Sequence, residues 1–201
     1  CFKCGVSGKF TESDTYQPNV YYKQKHDNKI TDVNELHLQY LYNRGLKLDD
    51  VILYKPISYT QYPQYVFSDL SNPKVGRNIF DLEPKYIKIG NLMSPWGCEL
   101  LPKELTTLVI VEGVFDYIAV KNYANLHVVA LLGKTMSLLQ KTYLISLKVK
   151  KIVIFLDKDA KDFAYKLYTE LRLWKDVEIR YPNDDPWNDR YDLTNILGGL
   201  E

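Results

Sequence analysis

Leu108-Val109-Ile110-Val111-Glu112-Gly113-Val114-Phe115-Asp116 is the stretch on which the fold turns. Its first four residues form a continuous aliphatic run, the pattern of a strand buried on both faces as in a parallel sheet. The run stops at a carboxylate. An echo follows at Ile152-Val153-Ile154-Phe155-Leu156-Asp157-Lys158-Asp159. Between the two lie a helix-like stretch over 115–123, a short strand over 128–132 and a second helix-like stretch over 136–147. This β-α-β-α-β alternation predicts parallel strands whose carboxyl ends share one edge. Ligands of open α/β sheets bind at that edge. Glu112, Asp157 and Asp159 are therefore expected to converge where hard cations and phosphates are handled. The plainer reading of the same acids is that they cap helices or sit solvated in turns, because strand-to-helix turns commonly carry Asp.

Outward from this unit, the 201 residues suit one large or two small globular domains. No stretch resembles a signal peptide, and no apolar run is long enough to span a bilayer, so no membrane partner is expected. A formal net charge of +1 argues against a generic polyanion binder and leaves room for a local basic groove. Three cysteines, two of them at positions 1 and 4, do not make a disulfide framework. They point to a reducing cytoplasm. A chain that opens on Cys1 reads as a fragment.

Cys1-Phe2-Lys3-Cys4-Gly5 reads as a zinc knuckle, two thiolates three residues apart with Gly permitting the tight turn. Structural zinc takes four ligands. Cys98 is distant and His26 and His37 lack a paired spacing, so zinc is expected only in a full-length protein. Residues 9–30 are polar and rich in Tyr, Asn, Lys and Gln, with at most one hairpin strand over 20–23. Asp32 then caps a predicted helix, with Glu35 completing a capping box and Val33, Leu36, Tyr40 and Leu41 on one face. Arg44-Gly45 ends it, Gly supplying the left-handed position. Two strand-like runs over 65–67 and 74–79 flank Ser-Asn-Pro turn chemistry. Beyond Asp159 come a helix to Leu173, a fourth strand over 177–181, an acidic loop over 182–189 and a last helix over 191–197.

Glu112-Gly113 with Asp116, followed by Asp157-Lys158-Asp159 after the third strand, resembles the Toprim fold of primases and topoisomerases. Other phrases extend the likeness to bacterial and phage-type DNA primases over nearly the whole chain. Cys1 and Cys4 are similar to the second half of their zinc ribbon. Leu41-Tyr42-Asn43-Arg44-Gly45-Leu46 resembles their Arg-Gly-Leu element, and Gly76-Arg77 followed by Pro84-Lys85-Tyr86 resembles the block ahead of their Toprim unit. The resemblance implies an α/β chain with a truncated ribbon over 1–12, a linker over 13–30, a smaller α+β subdomain over 31–103 and a Rossmann-like Toprim domain over 104–201. It implies template-directed synthesis of RNA primers on single-stranded DNA from ribonucleoside triphosphates, beside a replicative helicase. Glu112, Asp157 and Asp159 would hold Mg²⁺ or Mn²⁺, with Asp116 as a supporting catalytic carboxylate. Arg77 and Lys85 would contact nucleotide or template phosphates, and Lys134 would add a phosphate contact. The resemblance implies a phage or mobile-element source, and the abundance of Lys, Asn, Ile and Tyr fits an A/T-rich genome.

The chain also departs from that pattern. Ile87-Lys88-Ile89 stands where the family continues Lys-Tyr with x-Asn-Ser, Lys134 interrupts a Leu-Gly-Thr turn, and Lys161-Asp162 replaces a small Ala-Gly pair. Neither Asp185 nor Asp189 can be assigned as a further metal-facing acid. Two other functions use related parts: a recombination mediator that joins a zinc finger to a Toprim unit and binds DNA without catalysis, and a Toprim nuclease or topoisomerase that cleaves with the same acids.

Overall fold

The computed structural model describes residues 29–68, 74–90, 93–133 and 135–200. Cys1 and Cys4, the strand expected over 20–23 and Lys134 lie outside the described residues.

The first half builds an antiparallel sheet with two helices. In order these are β1 (Ile30–Asp32), α1 (Glu35–Asn43), α2 (Leu48–Tyr54), β2 (Pro56–Tyr59), β3 (Tyr65–Ser68), β4 (Lys74–Asn78) and β5 (Tyr86–Ile89). The strands lie in sequence order across the sheet. Asn34, not Asp32, caps α1. Asp32 pairs with Ile57 in the sheet, so the chain is still extended there. Two residues on, the Asn34 Oδ1 accepts from the His37 backbone at 3.2 Å while the His37 Nδ1 accepts from the Asn34 backbone at 3.2 Å. That reciprocal pair is a capping box with His in the usual Glu position. α2 follows at once, its first turn carrying Asp49 and Asp50 toward the positive end of the helix. Only Val51 and Tyr54 of α2 are buried, too short a pattern to read as a helix from periodicity.

The second half is a parallel sheet of β6 (Thr107–Val111), β7 (Val128–Ala130), β8 (Lys151–Phe155) and β9 (Asp176–Arg180), in the order β7-β6-β8-β9. The helices are α3 (Val114–Ala119), α4 (Leu138–Ser146), α5 (Lys161–Leu171) and α6 (Leu193–Ile196). Alternation along the strands divides the core. Val109, Val111, Val153 and Phe155 face α3 and α6. Leu108, Ile110, Ile152, Ile154 and Leu156 face α4 and α5. All nine are 0% exposed, which explains the unbroken apolar runs. The α3 face continues into Leu41, Leu46, Val51, Tyr54, Val66 and Val75, so the two sheets share one core. The open side of β7 is closed by Trp96, whose N–H and carbonyl pair with Ala130 at 2.8 and 3.0 Å.

Strand order fixes the site. From β6 the chain crosses to β7 on one side, then returns past β6 to β8 and β9 on the other. The connections diverge at the carboxyl ends of β6 and β8, which is where a crevice opens in such sheets.

Candidate active site

Glu112 follows β6 directly, and Asp157 lies two residues beyond β8. With Ile110 paired to Ile154, these acids leave the sheet side by side at the point of divergence. The Glu112 carbonyl accepts from the Leu132 N–H at 2.8 Å, holding the turn after β7 beside the first acid. The chain then turns into α3, and Asp116 reaches back to accept from the Gly113 N–H at 2.9 Å. The capping explanation of Asp116 is therefore correct as far as it goes. A Cβ on Gly113 would lie 3.0 Å from the Asp116 Oδ2, so Gly keeps that bond unhindered.

Capping does not exhaust Asp116. Burial and the facing carboxylates of Asp157, Asp185 and Glu112 push its pKa up from 3.8 to about 7, against the pull of the Gly113 N–H. Carboxylates are thus gathered at this edge closely enough for one of them to hold its proton near neutrality. Asp159 lies one short turn on, within Lys158–Ala160, and lines an adjoining acidic hollow with Asp157, Asn183, Asp184 and Asp185. The loop over 182–189 decides between its two candidate acids. Asp189 turns inward and accepts from the backbone N–H groups of Asn183 and Asp184, closing the loop. Asp185 lines the cleft while taking hydrogen bonds from Asn188 at 2.7 and 2.9 Å.

The cleft measures about 360 Å³ and is bounded by both halves of the chain. Glu112, Asp116, Asp157 and Asp185 line one side; Arg44, Tyr86 and Lys88 come from the antiparallel half. Arg44 ends α1 and lies 4.5 Å from the Phe115 ring centre and 5.9 Å from that of Trp187. These cation–π contacts fix its guanidinium. Its Nε is buried with no hydrogen-bond partner.

Of the basic residues singled out in the sequence, neither Arg77 nor Lys85 lines this cleft. Arg77 is on the cleft-facing side of β4 but donates to the Tyr40 hydroxyl at 3.0 Å and to Asp81, and lies 4.8 Å from the Tyr86 ring centre. It borders a neighbouring, mostly apolar cavity of about 50 Å³. Lys85 lies just before β5, where its carbonyl accepts from the Asn78 N–H at 2.9 Å and its backbone N–H donates to Glu83 at 3.1 Å. Gly76 has a packing reason of its own, because a Cβ would lie 2.4 Å from the Phe67 ring. Arg44 and Lys88 were both visible in the sequence, one inside a quoted phrase and one as a departure. Only the strand register places Lys88 on the cleft side, opposite Val75.

Among the described residues, no group of three or more His, Cys, Asp or Glu side chains is gathered closely enough to hold a metal ion. The donor set is nonetheless made of hard carboxylate oxygens under mutual repulsion. Mg²⁺ characteristically takes one or two carboxylates and completes its shell with water and substrate phosphates. Glu112 and Asp157, emerging together at the strand ends, fit that mode of binding.

Residues 107–181 match the Toprim domain family. The match covers the parallel-sheet half of the chain. The whole described fold is that of bacterial DNA primase catalytic cores, which makes the chain primase-like in architecture. The Escherichia coli primase catalytic core superposes with a TM-score of 0.65 at 15% identity, covering 83% of this chain and 72% of that one. A DnaG primase catalytic domain bound to single-stranded DNA gives 0.61 at 16% identity, covering 84% and 69%. The zinc-binding and RNA polymerase domains of Aquifex aeolicus primase give 0.56 at 19%, covering 86% and 51%. In sequence, an uncharacterized protein of Mycoplasma pneumoniae is 30% identical over 137 residues, 61% of this chain and 63% of that protein. The chain thus spans less than two thirds of that relative's length. No helix among the described residues is long and apolar enough to cross a membrane.

Proposed function

We propose that this chain is the catalytic core of a DNA primase, joining ribonucleoside triphosphates on a single-stranded DNA template. One observation carries the reading: strand-end acids at the divergence of a Toprim sheet face Arg44 and Lys88 across a single cleft. A nucleotidyl-transfer site needs that pairing, acids to recruit cations and bases to hold phosphates. Glu112 and Asp157 are the residues that would hold Mg²⁺ or Mn²⁺, with Asp116 and Asp159 supporting. Such a cation, when bound, acidifies a ribonucleotide 3′-hydroxyl and offsets charge on the transferring α-phosphate. Asp116 is held partly protonated near neutrality by burial and by the carboxylates facing it, so cation binding should release that proton. The template phosphates make strand binding steeply salt-dependent. A replicative helicase is the partner such a core would serve.

The test is dinucleotide synthesis on single-stranded templates with Mg²⁺ or Mn²⁺, comparing the wild type with Glu112→Gln. The variant should keep its melting temperature and lose synthesis. Synthesis at the wild-type rate would remove Glu112 from the chemistry. Plasmid nicking in place of synthesis would move the site to the nuclease reading.

A further inference from the structure

The basic side of the cleft has changed hands. Arg77 is occupied by Tyr40, Asp81 and the Tyr86 ring, and Lys85 does not line the cleft. Lys88 remains. It is exposed, lines the cleft with Glu112, Asp116 and Asp157, and donates to the Leu132 carbonyl. An ammonium carries three N–H donors, so this bond leaves two available. The bond also fixes where they are. Leu132 is the residue whose N–H binds the Glu112 carbonyl, which puts the Lys88 ammonium one residue's width from the first acid rather than along an outer surface. Leu132 (φ 61°) and Gly133 (φ 152°) form a left-handed turn there. Gly133 has no side chain to fill the space: a Cβ on it would still lie 3.8 Å from the Lys88 Nζ.

We propose that Lys88 is a positioning residue that holds the phosphates of an incoming nucleoside triphosphate over the Leu132–Gly133 turn. It supplies at this position the phosphate contact that the sequence resemblance puts on Arg77 and Lys85. The inference rests on the nucleotidyl-transfer reading and specifies its phosphate subsite. The nucleotide is favoured over the template strand because the ammonium is tied within the acid-lined cleft, where the reacting phosphates belong. A compact ammonium suits this role, contacting a polyphosphate as a point charge from a flexible stem.

The experiment is calorimetric titration of Mg²⁺–tripolyphosphate, Mg²⁺–ATP and an oligo-dT strand into the wild type, Lys88→Asn, Lys88→Arg and Lys85→Ala. Lys88→Asn should weaken tripolyphosphate and ATP alike by about tenfold, the loss of one charged hydrogen bond. Lys88→Arg should restore most of that affinity, and Lys85→Ala and oligo-dT binding should stay as in the wild type. Rescue by Arg separates the phosphate contact from damage to the fold, which a parallel thermal melt also monitors. Lys88→Asn binding tripolyphosphate as the wild type does, or losing only oligo-dT, overturns the inference and leaves the functional reading standing. A wild type that binds neither ATP nor tripolyphosphate overturns both.

Discussion

Replacing Asp116 by Asn should stabilise the cation-free protein at neutral and alkaline pH and do nothing at acid pH. Asp116 is buried among Glu112, Asp157 and Asp185, and its pKa rises from 3.8 to about 7. The fold therefore binds this proton more tightly than the unfolded chain does. Below pH 4 both states hold the proton and the group is neutral in the balance. As pH rises from about 4 to 7 the unfolded chain releases a proton that the fold keeps, and stability falls through that window. Above pH 7 the loss is complete. At roughly 1.4 kcal/mol per pH unit, the rise from 3.8 to about 7 sets a ceiling of ~4 kcal/mol on the effect. Asn is nearly isosteric and its oxygen can still accept from the Gly113 N–H, so the cap survives while the charge goes. Urea unfolding in chelator at pH 4, 6 and 8 measures the difference. The variant should match the wild type at pH 4 and exceed it by 1 to ~4 kcal/mol at pH 8. Mg²⁺ should narrow the gap by stabilising the wild type more. A variant weaker than the wild type at pH 8, or a difference that ignores pH, would refute the argument that the acids repel one another.

Further outcomes follow from the same geometry. His37 is buried and its pKa is lowered by that burial, which outweighs the nearby carbonyls of Pro63 and Tyr65. Its share of the stability is therefore present above its ordinary 6.5 and lost as pH falls below it. In an Asp116→Asn background, urea midpoints should drop between pH 6.5 and 5.5, and substituting His37 by Gln should flatten that slope. Gly97→Ala should cost roughly 2–4 kcal/mol, because φ is +84° and a Cβ would lie 2.4 Å from the Tyr117 ring packed against Trp96. Thermal unfolding checks it, and an unchanged midpoint would mean that the ring moves freely.

Much of the Toprim half was legible because burial on both faces leaves its mark directly in composition. Leu108 to Val111 and Ile152 to Leu156 could not be read as anything but interior segments, and an acid after each run marked the carboxyl edge. Strand order was not legible, since alternation of strands and helices does not say on which side each crossover falls. Without that order, the meeting of Glu112 and Asp157 at the divergence of the connections was an expectation about an edge, not a place. The antiparallel half was harder. Ile30–Asp32 and Pro56–Tyr59 are short and mixed in polarity, and α2 buries only Val51 and Tyr54, so neither period emerges. Face assignment was the other hidden quantity. Lys88 reaches the cleft side through its pairing with Val75, and in a strand a slip of one residue would have turned it to the other face.

If the strand-end acids and the bases facing them make a template-directed nucleotidyl-transfer site, synthesis must depend on both the template and Glu112. The most direct measurement supplies the wild type with Mn²⁺, one labelled ribonucleoside triphosphate at a time, and single-stranded templates of uniform sequence. Short labelled RNA should form only where nucleotide and template are complementary, and none should form with Glu112→Gln. Labelling that ignores the template, or that persists without Glu112, would contradict that assignment of the site.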